Sequence, residues 1–258
     1  TQIEGPTLNL TDKPVNFIAN YSFNNLIQLK TIRLKRCKIR IIEDNSFNIL
    51  KNLEDFYLQS NEFKRIKRFT LNGLNNLKLL NLEMNKIELI EPYSFSSLYN
   101  LTSLDLGGNY LINLDKTLIG LVRLNGLQLD KNRINILTNQ TFKGLESLSS
   151  LDLKENLISK IEKHAFLSFR YKSSILELKL LQIIELESFS FEGLSKVQKL
   201  DLSDNYINEI KNFTFYGLNS LETLNLSYNK IETMYLNSFD KTLFSLKSLA
   251  LNQNMLKF

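Results

Sequence analysis

The chain has 258 residues and a formal charge of +5, with one Cys, one His and no Trp. So mild a charge argues against a nucleic-acid binder, which needs a clustered basic face interleaved with aromatics. No apolar run approaches the ~18 residues of a membrane span. No signal-peptide pattern opens the chain, and its single cysteine excludes a disulfide within it.

A leucine-rich frame recurs about every 24 residues. Its clearest copy is Leu224-Asn225-Leu226-Ser227-Tyr228-Asn229-Lys230-Ile231, and Leu80 to Ile87 and Leu200 to Ile207 fit the same frame. With position 1 as the first leucine of L-x-x-L-x-L-x-x-N-x-I-x-x-I, units begin at Gly5, Leu29, Leu53, Leu77, Leu101, Leu124, Leu148, Ser173, Val197, Leu221 and Leu246. The interval is 24 residues except for 23 after Leu101 and 25 after Leu148 and Leu221. About ten units are complete and the last stops at Phe258. Such a period marks stacked supersecondary units. No linker or composition shift interrupts it, so residues 1–258 read as one repeat domain.

Each slot has a physical reason. Positions 4 and 6, such as Leu104 and Leu106, alternate as a short strand with one buried face. One unit cannot bury that face alone, so neighbours stack and their strands pair at ~4.8 Å. The Asn slot holds Asn61, Asn85, Asn109, Asn132, Asn156, Asn205, Asn229 and Asn254, with Cys37 in the second unit. An inward amide supplies donors and an acceptor to backbone that turns away from a strand. Without it, buried backbone groups go unpaired at roughly 1–3 kcal/mol each. A second column, Phe23, Phe47, Phe95, Phe142, Phe166, Phe191, Phe215 and Phe239, fills the opposite side of the coil. Leu71 takes that slot in one unit, and Leu118 or Ile119 in the shortened one.

These residues resemble the typical 24-residue class of extracellular leucine-rich repeat, found in Toll-like receptors, chaoptin-like adhesion proteins and Slit-like proteins. The resemblance implies an α/β repeat fold, a curved horseshoe solenoid with a parallel β-sheet on its concave face and irregular or short helical segments on its convex face. It also implies recognition of protein ligands outside the cell. Family members usually carry cysteine-rich caps, which are missing here, so the natural protein is expected to continue beyond Phe258 and before Thr1. Any membrane attachment is then expected from segments outside this stretch.

Side chains at positions 2, 3, 5, 7 and 8 are expected on the concave face. The second unit is basic there, with Lys30, Arg33, Lys35 and Arg36, and Lys38 and Arg40 continue the run into the turn. That patch suits a sulfated glycan or an acidic protein segment, and equally a solvated face. Further along, position 5 reads Asp105, Gln128, Asp152, Glu177 and Asp201, an acidic stripe with one gap. Close like charges invite a cationic partner. Against this, Leu-Asp-Leu is the family's habitual wording, and Lys154 and Lys179 at position 7 offer neutralisation in place. The opposite signs of the two surfaces also permit a homodimer.

Two units break the pattern. The one at Leu101 is short, lacks the column Phe and carries Gly107-Gly108; the one at Ser173 has Leu181 in the Asn slot, with Phe169-Arg170-Tyr171-Lys172 leading into it. Leu180 and Ile175 add apolar surface to the second break, the better contact candidate. Six N-x-[ST] sequons are candidate glycosylation sites: Asn9, Asn20, Asn100, Asn139, Asn212 and Asn225. Asn20, Asn139 and Asn212 all precede a column Phe by three residues, while Asn9 and Asn225 are on the concave strands.

For catalysis there is little. His164 sits beside Phe166, and no nucleophile context, phosphate loop or metal-spaced cluster appears. The expectation is a non-enzymatic module without cofactor or metal, extracellular or at the cell surface. It is either a receptor ectodomain for a protein or microbial ligand or an adhesion protein that pairs with itself or another surface protein.

Overall fold

A computed structural model describes residues 2–168, 171–239 and 244–256. Phe169 and Arg170, expected to lead into the irregular eighth unit, lie outside the described residues, as do Thr1 and Phe258. The first half of the chain forms β1 (Gln2–Glu4), β2 (Thr7–Asn9), β3 (Phe17–Ile18), β4 (Thr31–Arg33), β5 (Ile41–Ile42) and β6 (Asp55–Tyr57). It continues with β7 (Arg65–Ile66), β8 (Leu79–Asn81), β9 (Leu89–Ile90), β10 (Ser103–Asp105) and β11 (Gly126–Gln128). The second half adds β12 (Ile136–Leu137), β13 (Ser150–Asp152), β14 (Lys160–Ile161), β15 (Ile175–Glu177) and β16 (Glu185–Leu186). It ends with β17 (Lys199–Asp201), β18 (Glu209–Ile210), β19 (Thr223–Asn225), β20 (Thr233–Met234) and β21 (Ser248–Ala250).

The three-residue strands occupy positions 3 to 5 of each unit and pair in parallel, residue for residue: Leu8 opposite Ile32, Phe56 opposite Leu80, Leu104 opposite Leu127. Their central side chains point into the coil and are buried from β2 to β11 and from β15 to β19, as period-two alternation requires, while Leu151 of β13 is half-buried and Leu249 of β21 is exposed. β1 runs antiparallel to β2 and covers that edge of the sheet. The two-residue strands follow about ten positions later and pair separately, as β3 with β5, β7 with β9, β12 through β14 to β16, and β18 with β20.

The convex side is irregular rather than helical, with no α-helix among the described residues. Position 8 is left-handed in unit after unit, at φ 55° for Arg36, 54° for Met84 and 55° for Tyr228. Position 17 repeats this, at 65° for Tyr21 and Tyr93 and 61° for Phe213. Left-handed residues at those intervals interrupt any run of right-handed helical dihedrals. The phenylalanine column packs this side, with ring centroids 5.4 Å apart for Phe142–Phe166 and 6.0 Å for Phe166–Phe191. Leu118, fully buried, fills the slot in the shortened unit.

The asparagines stitch one coil to the next. Asn61 Nδ2 donates to Leu58 O of its own unit and Leu34 O of the unit before, each at 2.8 Å. Its Oδ1 accepts from Cys37 N at 2.9 Å and Ile39 N at 3.1 Å. The same links recur at Asn85, Asn109, Asn132, Asn156, Asn205, Asn229 and Asn254. Cys37 substitutes in part: its thiol lies 3.0 Å from Leu10 O, and its backbone carbonyl accepts from Val15 N at 2.9 Å. Burial raises the Cys37 thiol pKa, which keeps it protonated and unreactive.

Leu181 supplies neither donor nor acceptor, and there the concave sheet divides. Strands β1, β2, β4, β6, β8, β10, β11 and β13 form one eight-stranded sheet, and β15, β17, β19 and β21 form another. Elsewhere position 6 donates to the strand of the next unit, as Leu129 N does to Asp152 O at 2.9 Å. Across the break the contact is instead Lys172 N to Leu148 O at 2.8 Å. On the outer side β14 still pairs with β16, and Phe166 still stacks on Phe191. The coil is therefore open on its concave face and closed on its convex one.

Candidate partner-binding face

The concave sheet brings position 5 side chains into one row: Asn9, Arg33, Tyr57, Asn81, Asp105, Gln128 and Asp152 on the first sheet. Glu177, Asp201, Asn225 and Ala250 continue on the second. The acidic stripe is thus not one evenly spaced ladder. Asp152 and Glu177 flank the break, where strand spacing no longer holds their separation at ~4.8 Å.

Asp105 has the most unusual setting. Burial raises its pKa, and the like charges of Glu83 and Asp130 push the same way, while a hydrogen bond from Gly107 N to Oδ1 at 3.0 Å opposes them. Gly107 makes the crowding possible. A Cβ there would stand 2.6 Å from the Asp130 Oδ1. Glu83 and Asp130 are at position 7, so reading that column alongside position 5 would have revealed the cluster.

At the break lies a polar cleft of about 250 Å³, lined by Gln128, Ser150, Asp152, Tyr171 and Glu177 among others. Tyr171 is buried, and its hydroxyl donates to Ile175 O at 3.1 Å. It occupies core space that a position 1 leucine fills elsewhere, since Ser173 is too small to do so. Lys154 Nζ is 3.5 Å from Glu177 Oε2 and spans the cleft. Lys179 makes no ion pair among the described residues. Ile175, which lines the cleft, is 46% exposed, and Leu180 of the same unit is 65% exposed.

The basic second unit is partly neutralised. Lys30 is 3.4 Å from Glu54, and Arg36 makes a two-point contact with Asp12, its Nη2 2.8 Å from Oδ2. That pairing holds the Asp12 carboxyl below its ordinary range. Arg33 lies over the Tyr57 ring at 5.7 Å, and Lys35 has no ion pair among the described residues. His164 is on a convex turn with Nδ1 2.7 Å from Glu192 Oε2, remote from these acids in the repeat. Among the described residues no group of three His, Cys, Asp or Glu side chains could hold a metal ion.

Of the sequons, Asn139 and Asn212 are exposed on the turns before their phenylalanines. Asn100 is engaged: its Nδ2 donates to Asn75 O at 2.9 Å and its Oδ1 accepts from Arg123 at 2.7 Å. Asn20 is half-buried, Asn9 is exposed, and Asn225 accepts from Ser227 N at 3.1 Å.

The leucine rich repeat family profile matches residues 51–111, 122–170, 174–231 and 195–256, which is most of the chain. This chain belongs to the leucine-rich repeat family. Compared by sequence alone, no curated protein matches it. Among solved structures these leucine-rich repeats are similar to a chain of the octameric complex of Latrophilin 3, Unc5D and FLRT2, at 26% identity and TM-score 0.70, covering 96% of this chain and 75% of that one. A chain of the LRIM1/APL1C complex matches at 19% identity and TM-score 0.67, covering 94% and 47%. One from the Drosophila Toll–Spatzle complex matches at 19% and TM-score 0.59, covering 91% and 37%. The chain thus spans less than half of each of these last two. The family and these neighbours make it a protein-interaction module, with no catalytic family indicated.

The leucine-rich repeat at Asp105 carries a pH signature. Its folded pKa is raised, so between the ordinary value of 3.8 and that raised value the folded state binds more protons than the unfolded one. Stability therefore falls as pH rises through that window. Asp105→Asn keeps the acceptor for Gly107 N and removes the charge. Thermal unfolding of the variant should begin higher than wild type at pH 7, with the gain vanishing below the ordinary carboxylate value. A gain independent of pH would contradict this origin.

Proposed function

We propose that the protein is the recognition part of an extracellular, cell-surface receptor that binds a protein ligand through its concave face. The carrying observation is the juxtaposition at the centre of that face of an under-neutralised acidic cluster and the cleft between β13 and β15. A cleft with apolar margins and charged walls suits a protruding side chain or loop from a cationic protein surface. The solenoid is preformed, so binding orders little of it. Two of the solved neighbours come from complexes with protein partners, Spatzle for one and Unc5D with Latrophilin 3 for the other.

An adhesion role is the second reading, favoured by Arg33 and Lys35, which make no ion pair among the described residues, at one end of the face and the acids at its centre. Pairing with itself requires salt-sensitive homodimerisation in sedimentation equilibrium. A monomer at all concentrations leaves only pairing with another surface protein.

Two measurements bear on the receptor reading. Labelled protein is screened against an array of secreted and surface ectodomains, and each hit is repeated with Asp152→Lys combined with Asp201→Lys. Loss of affinity by about a hundredfold is expected for charge reversal at an interface. Unchanged binding removes the concave acids from the interface. For the compartment, protein expressed through the secretory pathway should lose mass on glycosidase treatment, with sugar at Asn139 and Asn212 first. No mass change at any of the six sequons counts against an extracellular, glycosylated protein.

A further inference from the structure

The outer flank of the first repeats holds a second opening. β5 and β7 are neighbours in the repeat, yet they do not pair, although β3 pairs with β5 and β7 with β9. In flanking units the residue after the outer strand donates back across the coil, Glu43 N to Ile18 O and Glu91 N to Ile66 O, each at 2.9 Å. Lys67 N turns instead to Thr70 Oγ1 at 3.0 Å. Phe63 sits buried beside this gap, a larger side chain where the adjacent units have Ile39 and Ile87. Between β5 and β7 lies a groove of about 520 Å³, roughly twice the volume of the concave cleft.

The groove is cationic. Arg40, Lys64, Arg65, Lys67 and Lys86 line it against a single lining carboxylate, Glu62. Glu62 is shared between Arg40 at 3.2 Å and Lys86 at 3.8 Å, and Lys64 meets Glu88 at 3.1 Å. Arg65 and Lys67 have no ion pair among the described residues. The floor is apolar: Ile41 is 58% exposed beside buried Ile42, and Phe17, its register partner, is 45% exposed. This excess of positive charge is outside the concave face, where the sequence had placed the basic patch.

We propose that this flank groove binds an acidic peptide segment that carries an apolar side chain between its carboxylates. Charge complementarity selects the anion, because cations outnumber acids along the lining. Exposed Ile41 selects a peptide over a sulfated polysaccharide, which would cover the isoleucine with polar sugar and gain nothing from it. The site is independent of the concave face, so either can fail while the other stands.

The probe is a fluorescein-labelled synthetic peptide of Glu and Asp interrupted by Phe and Leu. Oligoglutamate of equal charge and a heparin oligosaccharide serve as comparators, read by anisotropy with the purified protein. The mixed peptide should bind more tightly than oligoglutamate. Arg65→Glu with Lys67→Glu should weaken it by at least about tenfold. Ile41→Asn should erase the advantage over oligoglutamate. Lys67→Gln alone, which breaks no ion pair, gives the same direction at smaller amplitude should the double variant misfold. Unchanged affinity in the charge variants overturns the proposal. So does tight binding of heparin with no preference for the mixed peptide.

Discussion

A buried primary amide, repeated once per turn, is the interaction on which the rest of this solenoid depends. Each coil leaves backbone groups facing inward where the strand ends, and no water reaches them. The asparagine donates to carbonyls of two successive units and accepts from the N–H of the unit before, so one side chain satisfies both coils and fixes their separation. Leucine burial supplies most of the driving force, but it is non-directional. The amide sets the register.

The chain contains its own controls. The unit after Leu101 is a residue short and that after Leu221 a residue long, yet β10 pairs with β11 and β19 with β21. At both junctions the ladder is intact, through Asn132 to Leu111 N and Asn254 to Ile231 N, each at 3.0 Å. The junction after Leu148 is also long, and it alone has leucine in the slot. There the sheet divides. Length change without loss of the amide leaves the concave pairing in place. Cys37 marks the intermediate case, because its thiol and a shifted backbone contact preserve pairing between β2 and β4. Since the convex strands and phenylalanine stack run on past Leu181, the opening is confined to the face offered to a partner.

Much of this was legible in the sequence, because a repeat presents each environment many times and the eye can average. The Leu, Asn and Phe slots, the strand positions and the irregularity at Leu181 all follow from spacing. Other features were hidden because they depend on pairing between columns rather than identity within one. Glu83 and Asp130 flank Asp105 from neighbouring units, and Asp130 takes its place where Gly107 has no Cβ. The neutralisation of Arg36 by Asp12 links position 8 of one unit to position 8 of the previous one. The flank groove lies where β5 and β7 fail to pair, which no single slot of the repeat announces. Left-handed φ at Tyr21, Tyr93 and Phe213, all non-glycine, left no compositional signal to choose between the irregular and short helical convex segments that were expected.

Hydrogen exchange on Leu181→Asn tests the central claim most directly. The restored amide would accept from Ile158 N and donate to Leu153 O, and with the coils drawn together Leu153 N would reach the strand at Glu177. Protection of the Ile158 and Leu153 amides should rise by about tenfold or more, towards that of Ile134 and Leu129 at the intact junction before it. If the variant folds and both amides exchange as in wild type, the extra residue and Tyr171 open the sheet, and the asparagine ladder does not govern it.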